Sequence, residues 1–431
     1  MAREHPQARR ISAVGSLVLF TAGLSFTLRA AVIGELEARH LAPLDPAGSA
    51  TRAGQLLGVA FLGFALTLGL CSVFLGSIGM GRGLRLAAGC FALGTGVTVL
   101  APELAAGESL YAALWTGFLL SGLGWGFMEA TVNPLAGALY PDERVRRLNA
   151  LHAWWPAGQI AGGLASLALA ALGLGWRATL ALVALPALAS LWLSAGLAFP
   201  RSERVDAGVS TGEMLRELLR QPGFLVFWLC MLLTAAAELA PGQWIDLTLT
   251  RTVGMRGIWL VIYVAGMMFA LRHFAGPIAA RFSALAMLWA SSALAALGLV
   301  LLARADSPLS GLVAATVWGL GVCFLWPTML ANVAQRYPRG GEFFIGLMGV
   351  AGALSIQFVL PWLGAVFDRA KQEIAGGQAA FAQLAGEARE AVLRDAAATS
   401  FETLALLPAI LVFVFGAAFW LDRWRAQGRF G

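Results

Sequence analysis

Residues 122–141 read GLGWGFMEATVNPLAGALYP, and residues 319–338 read GLGVCFLWPTMLANVAQRYP. Aligned from their first residues, the two stretches share 7 of 20 positions, including a Gly-Leu-Gly start and a Tyr-Pro end. A common apolar composition does not explain matches of this kind in register, so the chain contains an internal repeat. The first copy also places a carboxylate and an amide four residues apart, at Glu129 and Asn133.

Apolar sequence continues outward from both copies. Of the 431 residues, 59% are hydrophobic and 13% are charged, whereas soluble chains are about one-quarter charged. Mostly apolar runs of about 18 or more residues predict transmembrane helices. Twelve such spans are found, which predicts an all-α membrane protein: 11–34, 54–78, 84–101, 109–138, 150–174, 177–199, 223–247, 257–279, 284–303, 309–334, 342–367 and 402–421.

The repeat divides the twelve spans into two pseudo-symmetric bundles of six helices. It aligns the fourth span with the tenth, which predicts an N-terminal bundle over 1–199, a cytoplasmic linker over 200–222 and a C-terminal bundle over 223–431. Duplicated halves around a central site are typical of secondary transporters. Between the last two spans lies an outer segment, 368–401, which is either a partly helical cap or a solvated loop.

The net charge of +6 reflects membrane topology. With the N-terminus in the cytoplasm, cytoplasmic segments hold 18 Lys and Arg residues and outer segments hold 10. This is the positive-inside bias, so we expect a multi-pass inner-membrane protein with both termini in the cytoplasm and no nucleic-acid partner. The phosphate-binding loop GxxxxGK[ST] of ATP-driven pumps and the zinc motif HExxH are absent from the sequence. We therefore expect neither a primary pump nor an enzyme, and no cofactor or metal.

Two motifs on neighbouring spans resemble the fucose permease-like family of sugar–proton symporters, within the major facilitator superfamily. Residues 129–134 (EATVNP) are similar to that family's E-T-A-x-N-P, and residues 147–158 (RLNALHAWWPAG) to its R-L-N-x-x-Q-x-F-N-x-x-G. The resemblance implies the superfamily's fold, with spans 1, 4, 7 and 10 around a central cavity. It also implies transport of a small solute by alternating access.

Glu129 is the candidate for proton coupling. Ionisable side chains at membrane depth are costly and are functional candidates by default. Apolar surroundings favour the neutral form of a carboxyl group, which would let Glu129 take and release a proton. The alternative is a structural ion pair with Arg29 on span 1. Arg29 itself has three possible roles, namely pairing with Glu129, binding an anionic solute, or reaching toward the membrane surface.

The substrate-binding candidates are polar or aromatic residues on spans facing the implied cavity. Span 4 contributes Trp125 and Asn133 on the face of Glu129, and span 5 a stripe of Asn149, His152 and Gln159. The remaining candidates lie in the C-terminal half: Glu238 and Gln243 on span 7, beside a Pro241-Gly242 pair expected to break that helix, and Trp326 on span 10, at the repeat position of Glu129.

The sequence therefore predicts a secondary active transporter that moves a monosaccharide or a similar small polar solute by proton-coupled symport. Alternatives are an exporter or exchanger of an organic anion such as a sugar acid, and a sensor that has lost transport. The expected partners are the solute, the proton and the lipid bilayer, with the protein acting as a monomer.

Overall fold

The computed structural model describes residues 6–140, 147, 150–200, 211–250, 253–273, 281–337 and 341–427. These ranges contain twelve apolar helical segments, one for each predicted span. They are α1 (Ala8–Leu36), α2 (Ser49–Ile78), α3 (Met80–Leu104), α4 (Gly107–Leu139), α5 (Trp154–Ala171), α6 (Trp176–Leu193), α7 (Pro222–Leu249), α8 (Ile258–His273), α9 (Ala284–Ala303), α10 (Pro308–Arg336), α11 (Gly341–Ala375) and α12 (Gly386–Gln427). Ten of them are long and apolar enough to cross a membrane, and α5 and α8 are the other two. The all-α membrane fold predicted from the sequence is confirmed.

The Gly-Leu-Gly triplets of the two repeats occupy equivalent places in the fold. A Cβ atom on Gly122 of α4 would lie 1.9 Å from the carbonyl oxygen of Ala60 in α2, and one on Gly319 of α10 would lie 2.0 Å from Met267 in α8. At Gly122 the nearest atoms are backbone, so glycine permits the close approach of α4 and α2, whereas at Gly319 the nearest atom is the flexible end of the Met267 side chain. The second glycine of each triplet lies against the backbone of the third helix of its half: Gly124 against Ala87 in α3, and Gly321 against Ala295 in α9.

The predicted break in span 7 is wrong, and the break lies in α10 instead. The helix α7 runs without interruption from Pro222 to Leu249, with Pro241 inside it. By contrast, α10 consists of two helices, Pro308–Val322 and Leu325–Arg336, separated by a turn at Cys323 and Phe324. Proline removes one backbone donor but does not force a break when the neighbouring turns remain helical.

The segment 368–401 is mostly helical. Its first residues complete α11, a short helix spans Gln378–Gln383, and α12 begins at Gly386, well before the predicted start at 402. Phe381 is buried, with the Lys371 ammonium 5.3 Å and the Arg389 guanidinium 4.9 Å from its ring centroid. Of the two alternatives for this segment, the partly helical cap agrees with the structure and the solvated loop does not.

Among the described helices, the two halves meet chiefly along three pairs, α1 with α7, α2 with α11, and α5 with α8. We call the side where α1 ends and α2 begins the outer side, following the orientation predicted from charge. There, Thr51 of α2 donates its backbone N–H and its hydroxyl to Asp368 of α11, each at 2.8 Å. Arg256 donates to the carbonyl oxygen of Ala31 in α1 at 3.3 Å. The halves are therefore joined by hydrogen bonds on the outer side.

Candidate functional site

In the N-terminal half, three predicted site residues form one hydrogen-bonded chain. Asn133 donates through Nδ2 to Oε1 of Glu129, one helical turn earlier on α4, at 3.3 Å. His152 lies 2.8 Å from Oδ1 of Asn133, measured from its Nε2 atom. Because Oδ1 only accepts, His152 donates through Nε2–H, which fixes the proton on that nitrogen. The three side chains are half-buried.

Arg29 does not pair with Glu129. It is 3% exposed, its Nε donates to the carbonyl oxygen of Ser25 in its own helix, and its guanidinium carbon lies 5.8 Å from the ring centroid of Phe118. Its Nη1 has no hydrogen-bond partner, and among the residues described no carboxylate lies within ion-pairing distance. Glu129 consequently has an amide partner and no cationic one among those residues.

Trp125 occupies the centre of an aromatic cluster. Its ring stacks on Phe64 of α2 on one side, with centroids 4.7 Å apart, and on Trp155 of α5 on the other, at 4.8 Å. Phe26 and Phe61 meet it edge-on or tilted. Both faces of the indole are covered, so a solute can reach only its edge in this state of the protein.

Of the other two candidates on span 5, the structure describes Gln159 and not Asn149. Gln159 is buried on α5, and its backbone lies close to Gly23 of α1 at the contact between the two helices. Asn149 lies outside the residues that the structure describes. Trp155, which we did not predict, lies on the same helix as Gln159 and closes over Trp125.

In the C-terminal half, Glu238 joins three helices. Its Oε1 accepts from Nη2 of Arg272 in α8 at 3.2 Å, and its Oε2 accepts from the backbone N–H of Trp326 in α10 at 3.0 Å. Arg272 also donates through Nε to the carbonyl oxygen of Cys323 at 3.1 Å. The acid and the base of this ion pair thus bind the two sides of the break in α10.

The signs of these charges match the ends of the broken helix. The second half of α10 begins at Leu325, and its free N–H groups carry a partial positive charge that the Glu238 carboxylate satisfies. The first half ends at Val322, where carbonyl groups carry a partial negative charge beside the Arg272 guanidinium. We refer to Glu238 and Arg272 together as the α10 clamp. Arg272 was not among the residues predicted for the site, although an ionisable residue within the predicted span 257–279 is a signal that could have indicated it.

Gln243 and Trp326 both take part in contacts between helices. Gln243 is fully buried in α7 and donates through Nε2 to the carbonyl oxygen of Phe26 in α1 at 3.0 Å, while its Oε1 has no partner among the residues that the structure describes. The Trp326 ring lies against Gly352 of α11, where an added Cβ would be 2.5 Å from the indole. Gln243 therefore links the two halves, and Trp326 closes the contact between α10 and α11.

In the part of the chain that the structure describes, no cluster of His, Cys, Asp and Glu residues could hold a metal ion. The candidate site offers hydrogen-bonding and ionisable groups, namely the half-buried chain Glu129–Asn133–His152 in the first half and the Glu238–Arg272 ion pair in the second.

Comparison with known proteins identifies the family and the fold of the chain. The sequence pattern of the Major Facilitator Superfamily matches residues 15–361. No curated protein sequence matches the chain. Among solved structures, a D-xylose-proton symporter is 14% identical with a TM-score of 0.72, covering 93% of this chain and 97% of that one. The xylose transporter XylE from E. coli, in a partially occluded inward open conformation, is 14% identical with a TM-score of 0.74, covering 95% and 98%. A nucleoside transporter, NupG, is 14% identical with a TM-score of 0.71, covering 94% and 100%.

Proposed function

Since this chain belongs to the Major Facilitator Superfamily, we propose that it is a symporter that couples protons to the uptake of a small polar solute. Membership of the superfamily makes it a multi-pass membrane transporter and not an enzyme. The proposed mechanism is alternating access, in which the two halves rock about a central site and solute or proton binding shifts the balance between two states.

The observation that carries the proposal is the chain Glu129–Asn133–His152. Glu129 is a carboxylate at membrane depth with an amide as its hydrogen-bond partner, and it has no ion pair among the described residues. A carboxyl group in this position is suited to carry the coupled proton, with Asn133 and His152 as donors to solute hydroxyl groups.

The proposed solute is a monosaccharide or a molecule of similar size and polarity. Support comes from the motifs shared with the fucose permease-like symporters and from the fold likeness to xylose symporters. The fold likeness also includes a nucleoside transporter, so it supports a small polar solute more strongly than a particular sugar. We propose that Asn149 and Gln159 complete the polar stripe of span 5, and that Trp125 and Trp326 frame the site.

The proposed setting is the inner membrane, with both termini in the cytoplasm, because basic residues are concentrated in the segments on that side. The outer segment 368–401 then covers the far end of the C-terminal half. We propose that the functional unit is a monomer, since each chain has both halves that alternating access requires.

The test is solute-induced pH change in proteoliposomes that contain the unmodified protein or the variant Glu129→Gln. The expected result is alkalinisation outside the vesicles on addition of the transported sugar, which is lost in the variant while counterflow of labelled sugar remains. Glu108→Gln is the matched control, because Glu108 lies on the same helix but is exposed at its outer end, bonded to Arg52 at 2.8 Å. Proton movement that persists in Glu129→Gln would show that another group carries the proton.

A further inference from the structure

A groove runs along the exposed face of α3. Two cavities of about 670 and 520 Å³ lie on this face, and they share Gly89 and Leu93 in their walls. The first cavity is also lined by Arg82 and Arg85, and the second continues along the helix to Leu104. We call the two cavities together the α3 groove. Because α3 crosses the membrane from the inner to the outer side, the arginines mark the inner end of the groove.

Glycines form the floor of the α3 groove. A Cβ atom added to Gly89 or to Gly96 would meet open space, with no atom within 4 Å. Beside them on the helix stand Leu86, Leu93 and Leu100, which are all exposed. The described residues that line the second cavity are all glycine, alanine, valine or leucine. The groove is therefore long and apolar, which suits an extended hydrocarbon chain and not a polar solute.

Both arginines at the inner end keep guanidinium donors for a ligand. Arg82 and Arg85 are exposed and three residues apart, so they lie on the same side of the helix. Nε of Arg85 donates to the carbonyl oxygen of Gly81 at 3.2 Å, and neither arginine forms an ion pair with a described residue. At the outer end of α3, by contrast, Glu103 pairs with Arg177 at 2.6 Å. The uncompensated positive charge is therefore at the inner end.

We infer that the α3 groove binds an anionic phospholipid of the inner leaflet, with the phosphate on Arg82 and Arg85 and one acyl chain along Gly89 and Gly96. The guanidinium group matches the geometry of phosphate oxygens and binds them in pairs. Basic pockets between transmembrane helices on the cytoplasmic side bind anionic lipid head groups. The inference goes beyond the proposed function, because the lipid is a bound component of the protein and not its solute.

The dimensions of the α3 groove agree with a single leaflet. At a rise of about 1.5 Å per residue, Gly89 lies about 6 Å and Gly96 about 17 Å from Arg85 along the helix axis. One leaflet contributes about 15 Å of hydrocarbon, which is half of the apolar core of a bilayer. A phosphate at Arg85 therefore leaves room for an acyl chain that reaches the middle of the bilayer beside Gly96.

Another side of α3 packs on α4, the helix that carries Glu129. There, a Cβ atom on Gly83 would lie 2.4 Å from the hydroxyl oxygen of Thr131, and one on Gly124 would lie 2.7 Å from the carbonyl oxygen of Ala87. A lipid in the α3 groove thus contacts a helix that α4 supports from within the bundle. Because such a lipid binds the folded protein, it stabilises the N-terminal half against unfolding by mass action.

The experiment is native mass spectrometry of the purified full chain in detergent, titrated with phosphatidylglycerol or with phosphatidylcholine that has the same acyl chains. We expect the first phosphatidylglycerol to bind at least about tenfold more tightly than the first phosphatidylcholine, and to raise the midpoint of thermal unfolding. The double variant R82Q/R85Q should lose this preference, since each basic residue near the membrane surface strengthens binding to anionic lipid severalfold. Both side chains are exposed, so the midpoint without lipid should not change.

Gly89→Leu tests the acyl chain separately from the head group. The leucine would occupy the floor of the α3 groove while both arginines remain, so the affinity for phosphatidylglycerol should fall at least about fivefold from overpacking. Gly266→Leu is the matched control, because an added Cβ at Gly266 of α8 also has no atom within 4 Å. Leucine favours a helix over glycine, so neither variant should unfold.

The variant R9Q/R10Q is the control for charge. It removes two exposed arginines from the inner end of α1 and should leave the preference for phosphatidylglycerol unchanged. Three results would overturn the inference: equal affinity for the two lipids, an equal loss of preference in R9Q/R10Q and R82Q/R85Q, or full affinity in Gly89→Leu. No solute takes part in the measurement, so its outcome does not depend on whether the protein is a symporter.

Discussion

Asn133 is the residue that makes the N-terminal site a unit, because it donates to Glu129 and accepts from His152. A hydrogen bond between partly buried groups contributes about 0.5–1.5 kcal/mol, and one to a charged group about 1.5–3 kcal/mol. A substitution of His152 should therefore alter the hydrogen bond that the Asn133 amide donates to Glu129. The sequence could identify all three residues, because spacing on α4 put two on one face and a motif on the next span supplied the third.

Replacement of His152 should separate a polar role from a packing role. His152→Gln keeps an N–H donor toward the Asn133 oxygen and should retain solute uptake within about threefold, since the lost bond energy is below 1 kcal/mol. His152→Leu removes the donor and should lower uptake by about tenfold or more. Initial rates of labelled solute uptake in proteoliposomes measure both. Equal uptake by the glutamine and leucine variants would mean that the imidazole serves packing alone.

At the scale of helices, the glycines of the repeat determine how closely α4 and α2 approach each other. Gly122→Ala would put a methyl group within 1.9 Å of the Ala60 carbonyl oxygen, and neither backbone can move without disturbing its helix. We expect a loss of stability of about 1–3 kcal/mol or more from overpacking. Thermal unfolding in detergent, followed by circular dichroism, measures the change as a lower midpoint.

Gly96→Ala is the control for this prediction. Gly96 lies in α3, where an added Cβ meets open space, with nothing within 4 Å. Alanine favours a helix over glycine by about 1 kcal/mol, so the midpoint should stay constant or rise slightly. If both variants lowered the midpoint equally, loss of glycine in general would be responsible, and the contact with α2 would not be.

The helices themselves were largely predictable, whereas the position of the break was not. Apolar runs identify spans because every backbone group in lipid must be paired within a helix. Pro241-Gly242 suggested a break in α7, but a break also needs partners for the freed groups, and these come from distant parts of the chain. Glu238 and Arg272 supply them at Cys323 and Trp326 in α10, a relation that spacing in the sequence does not reveal.

At the scale of the whole molecule, Asp368 joins the two halves. It lies on α11 and accepts from the backbone N–H and hydroxyl of Thr51, at the start of α2, where a carboxylate is favoured by the helix dipole. Lys371 neutralises it at 2.8 Å, with both side chains almost fully buried. We call these three residues the outer latch. Its contacts must break whenever the outer side opens.

Asp368→Asn should shift the protein toward the state that is open on the outer side. The amide keeps one acceptor for Thr51 but loses the charge that pairs with Lys371, and each 1.4 kcal/mol lost from the closed state changes the ratio of states about tenfold. Spin labels at Leu104→Cys and Leu309→Cys, exposed at the outer ends of α3 and α10, report the separation of the halves. A longer distance should gain population in Asp368→Asn.

Asp45→Asn provides the comparison that assigns this shift to the outer latch. Asp45 is also an acid on the outer side, accepting from the backbone N–H of Gly48 at 2.9 Å and pairing with Arg52, but all its contacts lie within the N-terminal half. Loss of its charge should leave the distance distribution between the labels unchanged. If Asp45→Asn and Asp368→Asn lengthened the distance alike, general loss of negative charge would explain the effect. If neither did, the contacts of α1 with Gln243 in α7 and with Arg256 between α7 and α8 would be the ones that keep the outer side closed.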